Sequence, residues 1–286
     1  MKAAVKKFAV LGSPVAHSKS PQIHTRAYYE LGLNGWQYLR RDTKEADFIE
    51  FITAAAHEYS GFSVTMPLKK LAAQIATEKC EFVRATGVAN TLVKITGADW
   101  HRPQWSAYNT DIPGLQNALV RNNFSCVNAL ILGSGATALS AALTALLLGA
   151  DSLEIRARRQ TALQEFTQQL QTAVKMLSIT QDFRLNTALI TDPPRLTAPD
   201  LIINTLPADA DVELPAQFAR AQFYDVTYSA KMSLIAQRLN PAQHANGGSM
   251  LFEQALLQLR IFINGSPAAP LPIEDTLRNT FHGLSS

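Results

Sequence analysis

Two adjacent lysines, Lys69 and Lys70, close the stretch GFSVTMPLKK (61–70). Phe62, Val64 and Met66 are apolar with Ser63 and Thr65 between them, so the stretch opens as a strand. Pro67 then ends it, because proline has no N–H to give to a ladder. A pair of amines with no acidic neighbour is either a solvated turn or an ammonium held at the mouth of a site, where it can give or take a proton. Three more polar clusters stand at predicted element ends: HSKSP with Ser18 and Ser20, GVANT with Asn90, and YNTD with Asn109 and Asp111. Together with Thr65 and Lys69 they offer hydroxyls, an amide, an amine and a carboxylate without aromatics, a set suited to a small polyhydroxylated acid. Taken singly each has a plain explanation: Ser20 as a helix N-cap, Asn90 and Asp111 as turn formers, Lys69 as a surface charge.

A second kind of chemistry is written in ILGSGATALSAAL, where Gly133, Gly135 and Ala138 form a G-x-G-x-x-A pattern between a predicted strand and a predicted helix. The first glycine permits the tight turn, the second lets a pyrophosphate approach the backbone, and the small third residue lets helix and strand pack closely. Phosphates then sit at the helix N-terminus, on free N–H groups at the positive end of the dipole. The run Gly133, Ser134, Gly135, Ala136, Thr137 and Ala138 is therefore the candidate cradle for a dinucleotide. An NAD site places a carboxylate at the end of the next strand to bond the ribose 2′-hydroxyl. Here that segment reads EIRARRQ, with Arg156, Arg158 and Arg159. Guanidinium groups pair bidentately with a 2′-phosphate that a carboxylate would repel, so the pattern favours NADPH over NADH.

The elements that must position these residues alternate. FAVLG (8–12) reads as a strand, and a helix begins near Pro21 and ends before Gly32. QYLRRD is a second strand, EADFIEFITAAAHEY a helix and GFSVTM the next strand, with ANTLVKI and QWSAYNTD as a further extended pair. A second α/β unit runs from VNALILG through a long Ala/Leu helix and Gly149 to the strand LEIRARR, with LIINTL (201–206) and QFYDVTY (222–228) as later strands. The last helix, SMLFEQALLQLRIFING, is apolar on more than one face and should be buried between layers. The expected fold is α/β with a mostly parallel sheet, in which strand ends at one edge converge on a crevice.

Composition bounds the rest. The 286 residues suffice for one large domain or two ordinary ones, and 47% apolar with 17% charged residues fits a compact chain rather than a disordered one. A net charge of +3 without a concentrated basic face argues against nucleic acid and leaves anionic small molecules open. Cys80 and Cys126 stand in unrelated contexts, which supports neither a disulfide framework nor a zinc site; no metal is expected, and a reducing cytoplasm is the expected compartment. The opening MKAAVKKFAVLG is too short in its apolar part for a signal peptide, and no apolar run reaches the roughly 18 residues of a membrane helix.

Read together, GSPVAHSKSPQIH, SVTMPLK, GVANTL, YNTDIPG, GSGATA, ARR, YDVTYS and MLFEQAL resemble, in this order along nearly the whole chain, the shikimate dehydrogenase family. The resemblance implies reversible NADP-dependent reduction of 3-dehydroshikimate to shikimate in the route to aromatic amino acids. It also implies two α/β domains with the active site in the cleft between them: a substrate domain of residues 1–112 and 242–286 and a Rossmann-like NADP(H) domain of residues 113–241. Carried over residue by residue, Lys69 and Asp111 become the catalytic pair. Ser18, Ser20 and Tyr228 would bind the substrate carboxylate, and Thr65, Asn90 and Gln254 the ring hydroxyls, with Lys69 and Asp111 sharing that task. Arg158, with Arg159, would grip the 2′-phosphate. The expected partner is the small-molecule substrate, with neither nucleic acid nor membrane; monomer and homodimer both fit.

The chain also departs from the family pattern. Ser63 stands where many members have Asn, and Thr25 replaces the Asn that commonly follows His24. The usual Y-x-P-x-x-T-P reads YSAKMSL (228–234), and the usual G-L-G-M reads GGSM (247–250). These changes leave the catalytic pair intact and bear on the loop beside the nicotinamide. Two alternatives follow: a paralogue acting on quinate or another cyclohexane carboxylate with relaxed cofactor use, and a catalytically silent sensor on the same scaffold.

Overall fold

A computed structural model describes residues 5–95, 97, 104–228 and 231–282. The chain divides into two compact units, one of residues 1–110 and 254–286, the other of residues 111–253. The expected boundaries were residues 112 and 242; the division instead falls at Thr110/Asp111 and at Glu253/Gln254.

In the first unit the strands are β1 (Lys7–Gly12), β2 (Gln37–Asp42), β3 (Gly61–Val64), β4 (Glu78–Lys79), β5 (Thr91–Lys94) and β6 (Trp105–Tyr108). The helices are α1 (Ser20–Glu30), α2 (Phe48–Ala55), α3 (Lys69–Ile75) and α4 (Glu81–Thr86). The sheet order is β2-β1-β3-β5-β6-β4. β1 pairs in parallel with β2 and β3, β4 with β6, and β5 runs antiparallel to both its neighbours. That reversal matters for function. Asn90 stands before β5 rather than after it, yet the antiparallel direction delivers it to the edge where β1, β3 and β6 end.

Alternation along β3 sends Phe62 and Val64 to one face of the sheet and Ser63 to the other. Phe62 and Val64 join Phe48, Ile52, Tyr59, Leu68 and Trp105 in an apolar cluster. Ser63 faces the side on which Tyr38 and the last long helix pack, and is itself buried. All four residues of β3 are buried, because helices cover both faces.

In the second unit α5 (Asp111–Arg121) leads into β7 (Asn128–Leu132), α6 (Ala136–Leu147), β8 (Ser152–Ala157), α7 (Gln160–Met176), β9 (Arg184–Leu189), β10 (Leu201–Asn204), β11 (Gln222–Asp225), α8 (Leu234–Leu239) and β12 (Gln243–Ala245). Its sheet is parallel throughout, in the order β12-β11-β10-β7-β8-β9. This doubly wound arrangement reverses direction at β7 and β10, where open α/β sheets bind ligands. The long helix α9 (Gly248–Asn264) starts in this unit, and its residues from Gln254 belong to the first. The chain closes on α10 (Glu274–His282). The expectation of a buried α9 holds: Ala255, Leu256, Leu259, Ile261 and Phe262 are all buried, with Phe262 4.5 Å from the Phe8 ring.

One buried ion pair anchors the second unit. Arg156 Nη1 lies 2.9 Å from Glu154 Oε1, and both side chains are almost wholly buried. Arg156 Nη2 donates to the carbonyls of Leu189, Ile190 and Asp192, while the Leu196 amide donates to Glu154. The pair thus ties β8 to the loop after β9. Removing one partner would strand the other charge, which costs ~3–5 kcal/mol. Arg156→Met is accordingly expected to lower the unfolding free energy by that amount in urea titrations, whereas the exposed Arg158→Met stays within ~0.5 kcal/mol of wild type.

Candidate active site

In the first unit, the candidate residues gather at one edge of the sheet because four chain segments leave or enter it there. After β1 the chain turns back to Ser18, whose hydroxyl accepts a hydrogen bond from the Ser20 amide at 3.3 Å. Ser20 is the first residue of α1 and not its N-cap; Lys19 occupies that position without a side-chain cap bond. Arg40 from β2 holds this turn by donating Nε and Nη2 to the Ser18 carbonyl at 3.1 and 2.7 Å.

After β3 the chain makes the turn that carries Thr65 and Lys69. Gly12 permits the close approach: a Cβ there would stand 2.3 Å from Thr65 Cγ2 and 2.9 Å from the Met66 carbonyl. The amides of Ser13 and Thr65 reach across to Met66 O and Leu11 O at 3.1 and 2.8 Å. Lys69 opens α3 and is half-buried, while Lys70 is exposed, so the two amines that look alike in sequence have different surroundings. The Lys69 carbonyl accepts from the Ala89 amide at 2.9 Å, which fixes the start of α3 against the segment carrying Asn90.

Asn90 is the hub of the edge. Its Oδ1 accepts from the Thr110 amide and from Thr91 Oγ1, both at 2.9 Å, and its Nδ2 donates to Thr110 Oγ1 at 2.9 Å and Gln254 Oε1 at 3.3 Å. Asn90, Asn109 and Thr110 are buried, and Asn109 Nδ2 donates to Thr86 Oγ1 at 3.3 Å. Asp111, buried at the first position of α5, follows Thr110 directly in the chain.

Behind this edge runs a polar network that sequence reasoning missed. Tyr38 donates its hydroxyl to Ser63 Oγ at 2.5 Å, and Ser63 donates to Gln258 Oε1 at 2.7 Å. Gln258 Nε2 in turn reaches Gln254 Oε1 at 3.1 Å and the Asn90 carbonyl at 3.4 Å. His24 is stacked on Tyr38 at 4.1 Å, with Nε2 3.3 Å from Gln258 Oε1. Burial pushes the His24 pKa down to about 3, against a smaller opposing effect of the Gln258 hydrogen bond. Burial likewise raises the Tyr38 phenol, so both groups stay neutral through the ordinary pH range. The available signal was Gln258 itself: an amide inside the apolar run ALLQL, four residues after Gln254 and hence on the same helix face.

In the second unit, the G-x-G-x-x-A turn lies at the reversal point of the sheet. Gly133 has φ of +119°, and a Cβ there would stand 2.2 Å from Thr205 Oγ1, so the first glycine is required by both conformation and space. Gly135 is the N-cap of α6, with no side-chain cap bond among the described residues. A Cβ at Gly135 would meet no protein atom within 4 Å, so protein packing does not demand glycine there, while a pyrophosphate drawn close to the backbone would. Ala138 is fully buried in the helix layer, as the third small position requires. Ser134 completes the turn, Ala136 and Thr137 open α6, and the chemistry of this cradle fits a dinucleotide.

Arg158 and Arg159 follow β8 and are both exposed; Arg159 is the N-cap residue of α7. Arg156, grouped with them by its place in EIRARR, is committed to the buried pair with Glu154 and is unavailable to a phosphate. The end of the strand explains the difference: Arg156 still lies within β8, whose residues are all buried, and the exposed pair lies beyond it.

Tyr228 is half-buried just past β11. The end of that strand is fixed by Asp225, which accepts from Asn204 Nδ2 at 2.7 Å and the Ser233 amide at 3.4 Å and pairs with His244 Nε2 at 2.9 Å. Burial works to raise the Asp225 carboxyl, but these hydrogen bonds outweigh it and leave its pKa below the usual carboxylate range. Ala230 of the loop that departs from the family pattern lies outside the described residues. Ser249, in the GGSM departure, bonds the Tyr224 hydroxyl at 2.8 Å, and Tyr224 also accepts from the Met250 amide at 3.1 Å at the start of α9.

Three comparisons bear on this geometry. A family model described as the shikimate dehydrogenase substrate binding domain matches residues 10–92. A curated shikimate dehydrogenase (NADP(+)) of Anaeromyxobacter dehalogenans is 32% identical over 169 residues, 58% of each chain. Other curated relatives are pentafunctional AROM polypeptides, of whose length this chain spans about 10%. The crystal structure of Mycobacterium tuberculosis shikimate dehydrogenase superposes with a TM-score of 0.79 at 29% identity, covering 97% of this chain and 99% of that one. Quinate dehydrogenase from Corynebacterium glutamicum in complex with NAD superposes with a TM-score of 0.80, covering 97% and 99%, but at 18% identity that likeness concerns the fold alone.

His24 supplies a pH test of the buried network. A histidine in the unfolded chain titrates near 6.5 and binds a proton that the folded protein refuses until about pH 3. Its contribution to stability is therefore full above about pH 6.5 and is lost as pH falls from there toward 3. Relative to His24→Phe, the wild-type unfolding free energy should fall more steeply below pH 6, by ~1.4 kcal/mol per pH unit, in parallel urea titrations. Equal slopes would place a charged imidazole in the fold.

Proposed function

The family is that of the shikimate dehydrogenases, as the matched substrate-domain model, the curated relative and the mycobacterial structure all indicate, and on that premise we propose that this chain interconverts 3-dehydroshikimate and shikimate with NADP(H). The observation that carries the reading is the hydroxyl-and-amide edge of the first unit. There Asn90, Thr110 and Gln254 are locked in one hydrogen-bonded cluster, and Lys69 opens a helix tied to the same segment.

In this proposal Lys69 handles the proton at the oxygen of the reacting ring carbon. As an ammonium it gives that proton during reduction, and as an amine it takes it back during oxidation, a role worth about 10²–10⁴-fold. Asp111 orients the lysine. Ser18, Ser20 and Tyr228 hold the substrate carboxylate through hydroxyl donors, and the Arg40 clamp on the Ser18 carbonyl keeps the first of these in place. Thr65, Asn90 and Gln254 hold ring hydroxyls. NADP(H) on the Gly133–Ala138 turn supplies the hydride acceptor or donor when bound, with Arg158 and Arg159 on its 2′-phosphate. Relaxed use of quinate or NAD⁺ is the second reading, favoured by the loop departures at YSAKMSL and GGSM.

Two substitutions test the assignment. Lys69→Met should lower kcat by ~10²-fold or more while leaving NADP⁺ binding intact; near-wild-type turnover would remove Lys69 from the chemistry. Arg158→Ala should raise KM for NADP⁺ about tenfold and barely affect NAD⁺. An equal loss for both cofactors would argue against a phosphate clamp, and steady-state rates with shikimate and quinate side by side would separate the two substrate readings.

A further inference from the structure

Arg40 is an arginine without a carboxylate. Its Nε and Nη2 both donate to one neutral acceptor, the Ser18 carbonyl, at 3.1 and 2.7 Å. It makes no ion pair with an acidic side chain among the described residues, Asp42 two residues on in β2 included. The two bonds fix the guanidinium against the turn and leave its full charge unbalanced, because a carbonyl oxygen carries only a partial negative charge. The residue after Ser18 adds a second cation. Lys19 stands between Ser18 and Ser20, is half-buried, and likewise pairs with no carboxylate among the described residues. Nothing on the following helix offsets them, since the first turn of α1 holds no acidic residue. Two unbalanced cations thus stand at one short turn, whose two serines are both buried.

We propose that Arg40 and Lys19 make this turn select an acid: Arg40 positions Ser18, and the two cations together supply the positive charge that the substrate carboxylate requires. The identity of the ligand rests on the shikimate dehydrogenase reading. The serine hydroxyls are not enough for such selection. A hydroxyl donor bonds a carboxylate and a neutral ester carbonyl alike, whereas a fixed cation tells them apart, because only the acid carries the charge it attracts.

The two cations are suited to different parts of the task. The planar fork of arginine gives two N–H groups to one oxygen and stays charged at any ordinary pH, so Arg40 both holds the backbone and contributes potential. Lysine is a point charge on a flexible stem, so Lys19 contributes potential alone. Position and charge can therefore be separated by substitution. Arg40→Met removes both, Arg40→Lys keeps the charge and loses the two-point hold, and Lys19→Met removes charge only.

The test uses the whole enzyme with shikimate and its neutral methyl ester, each measured as substrate or as competing ligand. Wild type is first assayed with shikimate and NADP⁺; neither oxidation nor binding of shikimate would overturn the function reading, and this inference with it. Given either, Arg40→Met should raise KM or Kd for shikimate about tenfold and for the ester no more than ~3-fold. Its kcat should stay within ~3-fold of wild type and its KM for NADP⁺ should not change. Lys19→Met should weaken shikimate about threefold and leave the ester as it was. Arg40→Lys should weaken both ligands and keep the wild-type preference for acid over ester. Added salt should weaken shikimate binding more steeply in wild type than in Arg40→Met, since exposed charges are screened. Equal factors for acid and ester in Arg40→Met would leave a clamp that only shapes the turn, and would overturn the proposal. So would an acid-over-ester preference unchanged in Lys19→Met, which also decides the matter if Arg40→Met does not fold.

Discussion

The Asn90 side chain is the interaction on which the substrate edge depends. A buried amide must spend both its acceptor and its donor capacity inside the protein, since each unmet bond costs ~1–3 kcal/mol. Asn90 does so with three different segments: Thr91 beside it, Thr110 at the end of β6, and Gln254 on α9. The antiparallel direction of β5 makes these bonds possible, because it brings the residue just before β5 beside the residues just after β6. They also set where Asp111 begins α5, since the amide just before it is held by Asn90 Oδ1. Backbone bonds from Val64 and Ala89, the latter to the Lys69 carbonyl, extend the same constraint to the turn that carries Thr65 and Lys69. In the proposed site a hydroxyl-rich ligand would meet groups whose directions are decided before it arrives, the condition under which polar contacts give specificity.

Local patterns were legible in the sequence. The glycine turn could be read because its requirements lie within six residues: a positive φ and no room for a Cβ at Gly133, open approach at Gly135, a buried contact at Ala138. The parallel second sheet followed from the strand-helix alternation. Lys69 and Lys70 could not be separated by their own neighbours. What separates them is that β3 ends at Val64, the chain turns through Pro67 and α3 begins at Lys69, which leaves the first amine half-buried and the second in solvent.

Long-range pairings were not legible. Tyr38, Ser63 and Gln258 meet across 25 and 195 residues of chain, and no spacing rule brings them together. Ser63 alternates with Phe62 and Val64, a pattern that ordinarily marks a solvent face; helices on both sides of the sheet made it a buried hydroxyl instead. Arg156 was misjudged for a related reason. Its place in an arginine-rich stretch suggested a phosphate ligand, while the strand still running through it turned its side chain inward to Glu154.

Hydride transfer at a ring carbon, rather than binding of a ring acid alone, is what the proposed function requires. The most direct measurement follows the hydrogen itself, using shikimate carrying deuterium at C3 with NADP⁺ and analysing the reduced cofactor. The account predicts that deuterium appears in NADPH as 3-dehydroshikimate forms. Stabilisation of the protein by shikimate with no label in the cofactor and no change in nicotinamide absorbance would contradict it, and would make the chain a binding protein on a dehydrogenase scaffold.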